Sequence, residues 1–434
     1  MIEPQFNPLE LAKKSKTFCV LPWIHQFVGP SGDVRPCCVY RNSKEKISNL
    51  KENTLKEIWN NDETTARRLK FLNGEEDVSC EQCLARAELN YSFKNWANTE
   101  FFENNQSTQS IISSTNPDGS LDDHKLIYMD VRFNNLCNLA CRSCGPELST
   151  SWIVDARKLY DKKAGQVIGN SFQFAGQTEE QALEEMIPHL PSMESIYFAG
   201  GEPLIQKEHY QTLDKLVEAG NSHCSIRYNT NFSKLTLGKH DSIEYWKSLK
   251  DVTVSASLDG NHAKAEYWRY GTVWKDVVSN RLRVMEESPH VKFNITFTLS
   301  WVNAHNLIEF HREWIELGYI QCDDLSIIFL EGPYYYSLKN IPDWKKHQIE
   351  KLLREHMLWL KFRGCSSRTL NEYETSIKLM WQVRGSKNNP HLSLSTFGNI
   401  TKKLDSIRDE DFWEIFPEHA DVKDYMIAHG LYII

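Results

Sequence analysis

Short apolar runs alternate with longer amphipathic stretches through the middle of the chain. Six runs have the length and the β-branched and aromatic content of strands. They are Leu126-Ile-Tyr-Met-Asp-Val-Arg-Phe133, Met193-Glu-Ser-Ile-Tyr-Phe-Ala199, Cys224-Ser-Ile-Arg-Tyr-Asn-Thr-Asn231, Val252-Thr-Val-Ser-Ala-Ser257-Leu-Asp259-Gly260, Val291-Lys-Phe-Asn-Ile-Thr-Phe-Thr-Leu299 and Leu325-Ser-Ile-Ile-Phe-Leu330. Between them, Gln206 to Ala219, closed by Gly220, and Trp274 to Glu287 read as helices. Strand and helix in alternation predict an α/β fold with a parallel sheet built from βα units. In barrel sheets of this kind the chemistry collects past the strand C-termini. Cys137, Gly200, Asn231 and Asp259 all fall there. No GxGxxG turn follows the first run, so a doubly wound nucleotide fold has no support.

The segment after the first strand is Asn135-Leu-Cys137-Asn-Leu-Ala-Cys141-Arg-Ser-Cys144-Gly145. Three thiolates can hold three irons of a [4Fe–4S] cube and leave the fourth iron open to a non-protein ligand. A zinc site, or three unrelated buried cysteines, is the competing reading of the spacing. The second strand ends in Gly200-Gly201-Glu202-Pro203. Two glycines let backbone approach a ligand closely, and Glu202 adds a negative charge.

Together the two motifs resemble the CxxxCxxC and GGEP signatures of the radical S-adenosylmethionine superfamily, and the pair leaves the zinc reading little room. The resemblance implies a partial (β/α)6 barrel of the TIM type. It implies S-adenosylmethionine as cofactor, chelated on the open iron of a cluster held by Cys137, Cys141 and Cys144. Reductive cleavage would then give a 5′-deoxyadenosyl radical. Gly200, Gly201, Glu202 and Pro203 are expected to bind the methionine ammonium, with Asn231 a further cofactor contact. Ser257 and Asp259 resemble positions that meet the ribose or methionine part, and Arg269 resembles an arginine that meets the carboxylate. The plainer readings are a turn for Asp259 and a surface ion pair for Arg269. Ser143 stands where the family often has an aromatic residue.

A separate set of cysteines precedes the strands: Cys19, Cys37, Cys38, Cys80 and Cys83. A Gly-turn hairpin is expected to bring Cys19 near Cys37. A helix then returns the chain to Cys80 and Cys83. It opens on the Thr54/Glu57 capping box, carries Leu55, Ile58, Trp59, Ala66 and Leu69 as its apolar stripe, and stops at Gly74. Four thiolates so gathered suit Zn(Cys)4 and [4Fe–4S] about equally. The order of cysteines resembles the twitch domain, a shortened SPASM domain, which implies one auxiliary [4Fe–4S] cluster on Cys19, Cys37, Cys80 and Cys83. Cys38 is the alternate to Cys37, with core packing as its other role. In that family the auxiliary domain usually follows the barrel, whereas here it precedes it.

The 434 residues accommodate two to three domains. The expected division is 1–103 for the auxiliary domain, 104–124 for a polar linker, 125–335 for the core barrel and 336–434 for a helical C-terminal extension. The net charge of −8 argues against nucleic acid as a partner. No apolar stretch is long enough for a bilayer, and the start Met1 to Phe6 lacks a basic-then-apolar leader, so a cytoplasmic location is expected. Eleven cysteines are then expected to be ligands or packing residues, with no disulfide, and Cys224, Cys322 and Cys365 to pack. The resemblance implies hydrogen-atom abstraction from a small molecule or peptide, most simply in a two-electron oxidation (dehydrogenation or cross-link) assisted by the auxiliary cluster. A low-potential donor such as flavodoxin or ferredoxin would supply the electron. The alternatives are a redox-neutral epimerase or mutase, and a non-catalytic Fe–S electron-transfer or scaffold protein.

Overall fold

The computed structural model describes residues 6–40, 47–81, 83–84, 92–160, 172–382 and 389–431. The chain divides into two compact units. One holds residues 1–134, 173–200 and 206–227, and the other holds 135–172, 201–205 and 228–434.

In the first unit the N-terminal hairpin and two of the expected strands share one sheet. Strand β1 (His25–Val28) pairs antiparallel with β2 (Asp33–Arg35), which pairs antiparallel with β3 (Ser48–Asn49). The hairpin turns at Gly32, whose φ of 88° suits a residue without Cβ. On its other edge β1 runs parallel to β4 (Tyr128–Val131), with His25 opposite Tyr128 and Val28 opposite Val131. β4 in turn pairs parallel with β5 (Ser195–Phe198). Every residue of β1 and of β4 is buried, the pattern of strands covered on both faces.

The capping box at Thr54 and Glu57 forms, with Glu57 N–H donating to Thr54 Oγ1 and Thr54 N–H to Glu57 Oε2. The single helix expected after it is two helices, Leu55–Trp59 and Asp62–Leu72. The break falls where Asn61 caps the second helix, its side chain accepting from Thr64 N–H. The expected stripe is corrected too: Ala66 is exposed, while Arg67 and Arg68 are buried. Arg68 donates to Pro22 O, to Asn60 Oδ1 and to Gly119 O, and its guanidinium lies 4.8 Å over the Trp59 ring. Residues 104–124 are likewise ordered into the unit. They carry the helix Gln106–Ser113, capped by Asn105, with Thr108 and Ile112 fully buried. Leu121 O accepts from Asn60 Nδ2, and Thr115 Oγ1 accepts from Trp23 Nε1. The polar side chains that suggest a linker here are helix caps and turn partners.

β6 (Ser225–Thr230) straddles the division between the units. The second unit then holds a short hairpin, β7 (Thr236–Leu237) with β8 (His240–Asp241), followed by three parallel strands. These are β9 (Val252–Ser257), β10 (Lys292–Leu299) and β11 (Leu325–Phe329). All six expected strands are present, in a mixed α/β fold with a parallel sheet. β9 and β10 alternate buried with half-buried residues, so one face packs Val252, Val254, Ile295 and Phe297 under the helices. After β11 the described chain is helical, over Asp343–Phe362, Ser367–Trp381, Pro390–Arg408, Phe412–Ile415 and Ala420–Ala428. Ser367–Trp381 shields β11, where Glu372 accepts from the Ile327 N–H. The expectation of no disulfide is corrected, since Cys322 and Cys365 are bonded to each other with Cα atoms 5.7 Å apart. Cys224 is free and fully buried. Among the described residues no helix is long and apolar enough to cross a membrane.

Arg68 yields a stability prediction. Arg68→Met keeps the stem but strands two buried acceptors, Pro22 O and Gly119 O, and should lower the unfolding free energy by about 3 kcal/mol. Denaturant unfolding, compared with an exposed control such as Lys56→Met, measures the difference.

Candidate functional site

The loop with Cys137, Cys141 and Cys144 has no regular structure, so its carbonyls need partners from elsewhere. The residues just behind it provide them. Ser151 Oγ donates to Cys137 O at 2.7 Å, Ser149 Oγ to Leu139 O at 2.6 Å and Trp152 Nε1 to Cys141 O at 2.8 Å. Two backbone bonds tie the loop to a later segment, Ala140 N–H to Tyr270 O and Arg142 N–H to Trp268 O. Cys137, Leu139 and Cys141 form one buried cluster with Cys144 packed on it.

The Gly-Gly turn presses on this loop. Gly201 has φ of 53°, and a Cβ there would stand 2.3 Å from Leu136 O. The Glu202 N–H donates to that same oxygen at 2.8 Å. Glu202 is fully buried, and its carboxylate accepts from Thr230 Oγ1, Asn231 N–H and Leu204 N–H. Burial outweighs these three donors and raises its pKa to about 7. Glu202 thus joins the turn to the end of β6. Pro203, also buried, starts the turn Pro203–Ile205. Gly200, in the first unit, has φ of 77°, and a Cβ there would meet the Arg132 side chain at 2.6 Å.

Asn231 faces the thiols. Its Nδ2 donates to Asn138 Oδ1 at 3.0 Å and lies 3.8 Å from Cys137 Sγ, while its Oδ1 accepts from Ser233. Arg269 does the same at the second thiol, with Nη1 3.7 Å from Cys141 Sγ. Its Nη2 pairs with Asp259 Oδ2 at 2.7 Å, and Asp259 Oδ1 accepts from the Thr298 N–H. The plainer reading of Arg269 as a surface ion pair is corrected, because the pair is buried, with the Asp259 side chain fully covered. Ser257 ends β9 opposite Thr296, half-buried.

The thiols respond to these neighbours. Burial pushes Cys137 up to about 12. Cys141 moves the other way, to about 7, through the hydrogen bond from Cys144 and then the Arg269 charge. Three sulfurs on one buried loop, met by an amide and a guanidinium, suit the soft irons of an Fe–S cluster. Among the described residues no three His, Cys, Asp or Glu side chains are grouped to hold a metal ion.

The first unit carries the other set. Cys19, Cys37, Cys80 and Cys83 line one cavity, whose walls include Leu21, Pro36, Val39, Phe71 and Phe93. Burial pushes Cys19 and Cys80 up to about 12 and Cys37 well above its ordinary value, and neighbouring thiols push each further. Four thiolates in an apolar cavity repel one another unless a cation joins them, and although they are not grouped round a single-ion position, their chemistry suits an iron-sulfur cluster. Cys38 does not line the cavity and sits instead beside the buried Asp130 and Arg132.

The sequence pattern did not single out Ser149, Ser151, Trp152, Asn138 or Arg142. The signal for the first three is the polar run Ser149-Thr-Ser-Trp152 directly behind the cysteines. Arg142 carried no signal, because its partners Asp405 and Glu410 lie far along the chain.

A family model described as SPASM, an iron-sulfur cluster-binding domain, matches residues 19–84, from Cys19 to just past Cys83. No curated protein matches the chain. Among solved structures, native anSMEcpe with bound AdoMet is 18% identical at a TM-score of 0.38, over 55% of this chain and 61% of that one. Streptococcus suis SuiB bound to S-adenosylmethionine is 13% identical at a TM-score of 0.35, over 79% of this chain and 68% of that one. SuiB bound to precursor peptide SuiA is 13% identical at a TM-score of 0.37, over 67% of this chain and 61% of that one. The match thus spans less than two thirds of the length of anSMEcpe.

Gly201→Ala tests the close approach. The new Cβ should displace the Cys137 loop and open Cys137, Cys141 and Cys144 to faster alkylation, read by mass spectrometry. The Cys19, Cys37, Cys80 and Cys83 thiols should react as in the native protein.

Proposed function

We propose that this protein is a radical S-adenosylmethionine enzyme with one auxiliary cluster. The observation that carries the reading is the contact of the two motifs: Gly201 and the Glu202 N–H close on Leu136 O, one residue from Cys137. When bound, a [4Fe–4S] cluster on Cys137, Cys141 and Cys144 with S-adenosylmethionine on its open iron supplies an electron to the sulfonium and so a 5′-deoxyadenosyl radical.

This chain's residues hold and order that site. Asn231 and Arg269 direct N–H groups at two of the thiols, which favours their thiolate forms and fixes their orientation. Glu202 stabilises the turn that carries the backbone of Gly201 to the loop. Asp259 aims Arg269. Ser257 stands at the end of β9 as a further cofactor contact. The match of residues 19–84 to an iron-sulfur domain supports Cys19, Cys37, Cys80 and Cys83 as auxiliary ligands, with Cys38 left as a packing residue on Asp130. The reaction proposed is hydrogen-atom abstraction leading to a two-electron oxidation of a small molecule or peptide.

Anaerobic reconstitution should give about eight irons per chain, as two four-iron clusters require. Cys37→Ala should lose about four and Cys38→Ala none. With reductant and S-adenosylmethionine the native protein should release 5′-deoxyadenosine, and Cys137→Ala should release none. A fully loaded native protein that forms no 5′-deoxyadenosine, with or without cell extract, would sink the reading.

A further inference from the structure

The C-terminal helix Pro390–Arg408 reaches the cysteine loop through charged side chains. Arg142 lies between Cys141 and Cys144, and its side chain is fully buried. Its Nη2 meets Asp405 Oδ1 at 2.5 Å and Glu410 Oε2 at 2.7 Å. Its guanidinium lies 3.7 Å over the Tyr267 ring, whose hydroxyl donates to the same Asp405 oxygen at 2.8 Å. The other oxygen of Asp405 accepts from the Phe412 N–H, which fixes the carboxylate. One side chain therefore holds both the cysteine loop, through Arg142, and the segment that carries Arg269, through Tyr267. These are the two strips joined by the Arg142 N–H to Trp268 O bond.

Arg408 adds a second tie. Its Nη2 donates to Ala140 O at 2.8 Å, and it pairs with the buried Asp155. Leu404 packs between them against Ala140 and Trp152.

We propose that Asp405 and Arg408 are positioning residues for the Cys137 loop. They hold the loop and the Tyr267–Tyr270 strip in register, so that Arg269 stays on Cys141 Sγ and on Asp259. The site is thereby completed by a helix that follows the last strand. Hydrogen bonds to cluster sulfurs tune the reduction potential, and the groups that orient a ligand are worth roughly tenfold to a hundredfold in affinity. A wholly structural ion pair would change stability and leave the potential alone.

This inference rests on the function proposed above, and the test separates the two. The reconstituted full chain is compared with Asp405→Asn and Arg408→Gln by redox titration, electron paramagnetic resonance and S-adenosylmethionine binding. The cluster on Cys19, Cys37, Cys80 and Cys83 serves as an internal standard. Expected is a shifted potential and at least a tenfold weaker S-adenosylmethionine affinity at the Cys137 cluster, with the auxiliary signal unchanged. Arg142→Lys, which keeps the charge, should recover more of the native behaviour than Arg142→Met. If Asp405→Asn does not fold, Tyr267→Phe removes only one bond to Asp405 and should give a smaller change of the same kind. Loaded variants whose Cys137 cluster keeps the native potential and affinity would overturn the positioning role. Failure of the functional reading shows elsewhere, in a fully loaded native protein that forms no 5′-deoxyadenosine.

Discussion

The constraint on which the second unit depends is the fit of Gly201 against Leu136 O. Leu136 O takes the Glu202 N–H and leaves no room for a side chain on Gly201. That contact brings a turn and a cysteine loop, far apart in sequence, into one site. The surroundings follow from it. Glu202 is buried by the approach and must find donors inside, and Thr230, Asn231 and Leu204 supply them. Asn231, held by its backbone on Glu202, then has its side chain free to face Asn138 and Cys137. A buried carboxyl, costly alone, becomes the joint of three segments.

Charge is distributed differently around the two cysteine sets. The loop thiols meet a guanidinium at Cys141 and an amide at Cys137, so polar groups reach the sulfurs directly. The N-terminal cysteines line a cavity walled largely by Leu21, Pro36, Val39, Phe71 and Phe93. There the Lys94 N–H also reaches Cys83 Sγ, and Arg67 and Lys94 stand in the wall.

Much of the architecture was legible in the residues. The six strands could be read because each is a short run with β-branched or aromatic residues and a turn behind it. The helices at Lys207–Glu218 and Trp274–Glu287 matched their periodicity closely. Misread segments share one cause. The 104–124 stretch is polar, and so is a linker, but its Asn105 caps a helix, and the carbonyls of Gly119 and Leu121 accept from Arg68 and Asn60. Arg67 and Arg68 sit at positions that charge alone would assign to solvent, yet both are buried with partners. The Cys322–Cys365 bond joins residues whose spacing resembles no motif.

Local chemistry is written in the chain because it depends on near neighbours. Thiols three and four residues apart, a Gly-Gly turn and a capping box each act within a turn or two of backbone. Which distant groups meet them is not so written, since it depends on how whole elements pack. Asp405 looks like any helical carboxylate until the fold sets it between Arg142 and Tyr267. Cys37 and Cys38 are adjacent and alike in sequence, and only the hairpin's twist turns one toward the thiol-lined cavity and the other toward Asp130. The residues named the candidate ligands, and packing decided which charges and hydrogen bonds reach them.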